Sequence, residues 1–421
     1  MKKWLTGLLA LVLVLTTFSA VVAKDTNKDD KEKKDKKFRL GVEVLLQDHI
    51  DLIKDKRVGL ITNPTGVDKN VTSIVDLFYT NPKVQLTALY GPEHGVRGDA
   101  QAGQYVEKYI DEKTGVPVYS LYGATKKPTP EMLSNVDVLI FDIQDVGARF
   151  YTYIYTMALA MEAAKENNIP IIVLDRPNPI SGTKVEGPVL ENKYSSFVGE
   201  YPIPVRHGMT VGELAQLFNK EFNIGADLKV VKMDGWKRSM YYDETPLAFV
   251  LPSPNMPTLD SALVYPGAAL IEGTNVSEGR GTTKPFELIG APFINSADLA
   301  AKLNAYKLPG VTFRAASFTP TFSKHANKLS HGVQIHITNR NVYQPFETGL
   351  YIVKTIHDMY PNDFQFRAPG SNGISFFDNL VGNGSIRADI EAGKSVEEMK
   401  KSWQSGLDKF SRIRDKYLLY K

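Results

Sequence analysis

The sequence contains no cysteine. That excludes a disulfide framework, thiolate chemistry and a lipid anchor attached through a lipobox cysteine. Excess charge is also small, +3 over 421 residues, so no global electrostatic footprint for nucleic acid exists. Long apolar runs are missing apart from residues 8–15, and that run is too short to span a bilayer. Several motifs are absent as well. No G-x-G-x-x-G follows a strand-like run and no G-x-x-x-x-G-K occurs, so there is no recognisable phosphate cradle. No G-x-S-x-G marks a serine nucleophile. No H-x-x-x-H or other short-range ligand spacing marks a metal site.

A chain of 421 residues is too long for one ordinary core, which points to two domains. Lys2 and Lys3 precede the short apolar run, and Val21 and Ala23 supply small residues before Lys24. This layout is that of a signal peptide over residues 1–23. It implies a secreted protein with no stable membrane insertion after cleavage, and a secreted chain without disulfides is more typical of the extracellular or cell-wall space of a bacterium. Residues 24–37 are a mixed-charge, apolar-poor run, read as a flexible linker. Such a run is compatible with weak association with an anionic cell wall, and equally with no partner.

From Arg57 onward, short apolar runs alternate with amphipathic stretches. Strands are expected at 57–62, 84–91, 116–123, 136–143, 169–175 and 227–233, and helices at 73–80, 151–168 and 210–222. Thr210 and Glu213 form a capping box at the start of the last helix. The alternation predicts an α/β fold: a Rossmann-like, doubly wound, mostly parallel sheet over residues 38–257. After Met256 the texture changes. A Gly-, Thr- and Pro-rich segment runs from Pro266 to Pro292, and mixed helix- and strand-like pieces follow. Residues 258–421 are read as a second, smaller α+β domain that completes an interdomain cleft.

In such a sheet, ligands bind beyond the carboxyl ends of the strands. Three polar turns follow expected strands at that edge: "GPEHGVRG" with Glu93, His94 and Arg97; "DIQDVGARFYTY" with Asp142, Asp145, Arg149 and Tyr151; and "DRPNPISG" with Asp175, Arg176 and Asn178. Each has an ordinary explanation as a cap, ion pair or stiff turn, but their convergence on one edge points to a site. Gly91, Gly95 and Gly98 allow unusual backbone and close ligand approach. His207 precedes a helix, Asn255 sits in the Pro-rich connector, and residues 271–283 hold Glu272, Asn275, Glu278 and Arg280 among three glycines. His325, His336 and His357 lack sequence partners and read as core or surface histidines. Carboxylates with Arg, Asn and Tyr in a cleft suit acid/base chemistry on a polar ligand, glycoside hydrolysis being one such class.

With these residues in view, the chain resembles the NamZ family of exo-acting β-N-acetylmuramidases. The likeness rests on "GLITNPTGV", "LYGPEHGVRGDAQAG", "FDIQDVGARFYTYIYTM", "LDRPNP", "HGMTVGEL", "LPSPNMPT" and "EGTNVSEGRGTTKPFELIGAPF" and extends from about Leu40 to Lys421. It implies removal of terminal N-acetylmuramic acid from the non-reducing end of peptidoglycan-derived saccharides, without cofactor or metal. It makes Glu93 the prime catalytic candidate, as general acid, with His94 beside it. Under this reading Glu278 or Asp142 is the second carboxylate. The lactyl carboxylate of the sugar asks for a cation, and Arg97, Arg149, Arg176 and Arg280 are the candidates, Arg149 and Arg280 first. Tyr151, Asn178, His207, Asn255, Glu272 and Asn275 complete the expected substrate contacts. Two alternatives remain at this stage: a non-catalytic cell-wall sugar-binding protein, and a metal-dependent muropeptide amidase using Glu93, His94 and His207.

Overall fold

The structure is a computed structural model that describes residues 38–98 and 108–421. The leader and linker expected in residues 1–37 lie outside the described residues, as do Asp99–Gly103 of the "GPEHGVRGDAQAG" stretch. Seven strands form the main sheet. They are β1 (Arg57–Thr62), β2 (Gln85–Gly91), β3 (Tyr109–Ile110), β4 (Pro117–Ser120), β5 (Val138–Asp142), β6 (Ile171–Leu174) and, after a separate hairpin of β7 (Glu186–Val189) and β8 (Pro204–Arg206), β9 (Leu228–Val231). Their spatial order is β3-β4-β2-β1-β5-β6-β9, and every pairing is parallel except β3 with β4. The chain winds outward from β1 through β2 to β4, then returns to the other side of β1 for β5, β6 and β9. The winding therefore reverses beside β1, which opens a crevice at the carboxyl edge there.

Burial explains the uninterrupted apolar runs. Neighbouring residues of each central strand face opposite ways, into two different cores. Leu60, Leu89 and Ile140 pack with helices α1 (Gly41–Asp48) and α2 (Ile74–Thr80) on one face. Ile61, Tyr90 and Phe141 face the other way. After the short α3 (Pro130–Leu133), that second face is covered by α4 (Tyr153–Glu166) and α5 (Val211–Glu221). Ala158, Ala160, Ala163 and Ala164 are all buried, and their small side chains let α4 lie close to its neighbours. The capping box of α5 forms as the spacing requires: Thr210 N–H donates to Glu213 at 3.0 Å and Glu213 N–H to Thr210 Oγ1 at 3.3 Å.

The smaller C-terminal α+β domain holds an antiparallel sheet of β10 (Leu288–Ala291), β12 (Ser330–Ile337) and β11 (Val311–Phe318), with β12 in the middle. Around it stand α6 (Leu259–Ala268), α7 (Ser296–Ala305), α8 (Pro345–Met359), α9 (Phe376–Val381), α10 (Ser385–Glu391) and α11 (Val396–Arg414). One buried apolar cluster runs unbroken from the α4 face of the large sheet into this part. The Pro-rich segment differs from its sequence reading. Pro266 sits inside α6, and the chain then tightens into a 3-10 turn at Ala269–Gly273. Proline removes one helical hydrogen bond, and the tighter turn follows at once.

Candidate functional site

The site begins where β2 ends. Gly95 N–H donates to the Pro92 carbonyl at 3.0 Å, closing a turn with Glu93 and His94 at its tip. His94 has φ +76°, a region that non-glycine residues seldom occupy. Backbone strain of this kind persists where the surroundings hold it, often at functional sites. Gly91 permits the tight return, since a Cβ there would meet Val96 N at 2.9 Å. Val96 is buried in the core on the α1 side and anchors the turn from below.

Glu93 and His94 line a cavity of about 700 Å³, counting the space at its open mouth. Phe150, Tyr151, Thr152 and Tyr153, leading into α4, line the same cavity, as does Ser253 of the connector. The C-terminal domain contributes Tyr265 from α6, Glu272, Arg280, and Phe376 and Leu380 from α9. Edge-on ring contacts stiffen the wall: Tyr151 with Tyr265 at 5.7 Å, Phe150 with Tyr265 at 5.2 Å, and Tyr265 with Phe286 at 4.7 Å.

Electrostatics tie these groups together. The Tyr122 hydroxyl donates to the Glu93 carboxylate; burial, together with that carboxylate, pushes the phenol up to about 12. Burial raises Tyr151, Tyr153 and Tyr265 too, and the charge of Glu93 adds to each. The four phenols therefore stay neutral and can donate hydrogen bonds. Glu272 is held above the usual glutamate range, first by burial and then by the nearby Glu278, while Arg280 opposes. Arg280 reaches Glu272 at 3.2 Å and Glu278 at 3.2 Å, and Lys324 lies 2.9 Å from the other oxygen of Glu278. Among the described residues, no group of three His, Asp or Glu side chains is placed to hold a metal ion.

The family model described as exo-β-N-acetylmuramidase NamZ, N-terminal, matches residues 58–260, and its C-terminal counterpart matches residues 263–420. The chain belongs to the NamZ family. It is 62% identical to the peptidoglycan β-N-acetylmuramidase NamZ of Bacillus subtilis (strain 168), over the full length of both chains. Two crystal structures of DUF1343 family proteins from Bacteroides fragilis NCTC 9343 are also similar. Their TM-scores are 0.84 and 0.72 at 43% and 34% identity, each covering 91% of this chain and 99% of its own.

The NamZ fold brings together only part of what the sequence singled out. Glu93, His94, Tyr151, Glu272 and Arg280 line the cavity. Arg149 does not. It is fully buried and donates to the carbonyls of Pro188, Ile203 and Leu380 at 2.9, 3.1 and 2.6 Å, so its donors serve the packing of α9 against the main sheet's loops. Burial pulls its guanidinium down to about 10. Asp142 and Arg176 form a buried bidentate pair at 2.5 and 2.8 Å, and Arg176 also donates to the Val67 carbonyl, so each satisfies the other. Glu278, only 2% exposed, is gripped by two cations and faces a neighbouring chamber.

The remaining candidates lie outside the cavity lining. Asn178 donates to the Met209 carbonyl and accepts from Ile180 N–H. His207 accepts from Met209 N–H through Nδ1, which leaves its proton on Nε2, 3.3 Å from Asp145. Asn275 ties residues 363 and 365 to its own loop. Asn255 is buried outside the cavity lining. Arg97 pairs with Asp111 at 2.9 Å and Asp76 at 3.5 Å, away from the cavity. Conversely, the sequence reading passed over Tyr122, Tyr153, Ser253, Tyr265 and Phe376. Tyr122 had a usable signal, since it lies two residues beyond the carboxyl end of β4, on the same sheet edge as Glu93. Tyr265 and Phe376 had none, because only tertiary packing carries them there.

Proposed function

We propose that this chain is an exo-acting β-N-acetylmuramidase that releases terminal N-acetylmuramic acid from the non-reducing end of peptidoglycan fragments. The observation that carries the reading is one cavity with a carboxyl group from each domain, Glu93 and Glu272, between aromatic walls. Family membership and the printed activity of the Bacillus subtilis relative support it. Glu93 is the proton donor. As the bond from C1 to the leaving oxygen breaks, it protonates that oxygen, and Tyr122 holds its carboxyl in position. Water adds at C1 and its proton restores Glu93. Glu272 takes the place that Asp142 and Glu278 held in the sequence reading. Its ionised carboxyl faces the positive charge that develops on the sugar ring. The tyrosine hydroxyls and Arg280 bind the polar edge of the sugar, and the rings take its apolar face. The leader read in residues 1–23 supports action outside the membrane, on wall fragments.

A chromogenic N-acetylmuramide tests this. The wild type should release the chromophore, indifferent to a chelator, and Glu93→Gln should lower kcat by about 10²- to 10⁴-fold at an unchanged melting temperature. A folded Glu93→Gln protein with full activity overturns the assignment. A wild type that binds the sugar and releases nothing overturns catalysis altogether.

A further inference from the structure

Beside the cavity lies a second, more open chamber, which shares Glu272 and Arg280 with the first as a common wall. The two differ in chemistry. The cavity is largely aromatic, whereas the chamber is lined only by Glu272, Glu278, Arg280, Ser323, Lys324 and Arg367. Most of that charge is already used. Lys324 donates to the carbonyls of Ile271, Thr274 and Val276 and pairs with Glu278, which exhausts an ammonium with three N–H groups. Arg280 is shared between Glu272 and Glu278.

Arg367 is the exception. It is exposed, and no carboxylate lies within ion-pair distance of it among the described residues. Its guanidinium lies over the Phe376 ring, 5.1 Å from the centroid, and the same ring lines the catalytic cavity. Its backbone N–H donates to Gly273, next to Glu272, at 2.9 Å. The side chain thus stands behind the cavity wall with its donors unspent.

We propose that this chamber receives the lactyl group on C3 of the N-acetylmuramyl unit, and that the Arg367 guanidinium binds its carboxylate. The proposal rests on the muramidase reading above. In the aromatic cavity an ether-linked carboxylate would meet only Arg280, already shared between Glu272 and Glu278, and a poorly paired anion there is costly. A guanidinium braced on a ring offers it a two-pronged partner. Arg367 is then a specificity residue and takes no part in proton transfer.

The test compares two chromogenic muramides, one with the free lactyl carboxylate and one with the neutral lactyl amide, on wild type, Arg367→Ala and Arg367→Lys. In Arg367→Ala, KM for the acid should rise about tenfold to a hundredfold, as for loss of one charge-assisted contact. Its kcat, its pH profile and its KM for the amide should stay within about twofold, the scatter expected of an exposed site. Arg367→Lys should recover part of the loss, since it keeps the charge and lacks the fork. Equal shifts for acid and amide, no shift, or a fall in kcat alone overturns the proposal. So does a wild type that treats acid and amide alike. A wild type inactive on both overturns the muramidase reading instead, so the two failures are distinguishable.

Discussion

Two acidic residues, Asp142 and Glu278, competed on sequence grounds for the place opposite Glu93, and their surroundings set them apart from Glu272, which the sequence placed only among the substrate contacts. Asp142 spends both oxygens on Arg176, and Glu278 is buried between Arg280 and Lys324 on the far side of the cavity wall. Glu272 pairs with Arg280 alone and faces the cavity. Its carboxyl titrates above the ordinary glutamate range, because burial penalises the charged form more than Arg280 favours it. The sign of the pH effect follows. Ionised Glu272 is the working form, so activity should fall on acidification at a pH above the free glutamate value of about 4.3. We expect kcat/KM of the wild type to show that acid limb, and Glu272→Gln to lose it together with about a hundredfold in kcat. An unchanged limb in Glu272→Gln would assign it to another group. Sequence could rank these acids by neighbourhood only. Which oxygen is already paired depends on residues 34 and 46 positions away.

Among the elements, the crossing of α6 and α8 is what places Tyr265. The helices meet at two glycines. A Cβ on Gly267 would lie 1.9 Å from the Pro345 carbonyl oxygen, and one on Gly349 would lie 2.3 Å from the Gly267 carbonyl oxygen. Backbone on both sides leaves nothing to swing aside. Gly349→Ala should therefore cost about 1–3 kcal/mol or more by overpacking, read as a lower midpoint in denaturant. It should also weaken substrate binding, because Tyr265 moves with α6. Unaltered stability would show that the helices slide apart freely. The regular elements of the large sheet were legible because their apolar runs are buried on both faces, and β1 and α5 fall within a residue of expectation. α6 was not, since its Pro266 and Gly267 open the Gly-, Thr- and Pro-rich segment. Its helical state comes from packing against α8.

At the scale of the molecule, the two domains are joined at points far apart in the chain. Arg149 reaches Leu380, Arg414 reaches the carbonyls of Gly182 and Gly208, and the chain end returns to the large sheet. There Tyr420 donates to Asp175 at 2.6 Å, Leu419 N–H to Glu213 at 2.8 Å, and Arg238 N–H to the Lys421 carbonyl at 3.1 Å. Asp175 is fully buried, so losing a donor leaves it poorly satisfied. Deleting Leu418–Lys421 should thus lower the melting temperature and kcat/KM together, because Glu93 and Glu272 stand on different domains. Lower stability with full activity at low temperature would show that the tail does not help to align the cleft.

The sequence by itself determined the parallel α/β core, because a strand buried on both faces must be apolar throughout. It also located the Glu93 turn, because glycines beyond a strand at the carboxyl edge mark the place where backbone and ligand come close. It did not determine which charged residues remain available to a ligand. Arg149, Asp142 and Arg176 carry the same chemistry as Arg280 and Glu272, yet they are bound to buried partners outside the cavity, whereas Arg280 and Glu272 pair with each other on its wall. That choice depends on through-space pairing, in which a buried charge must be satisfied by whatever the fold brings beside it, and only the tertiary structure makes it.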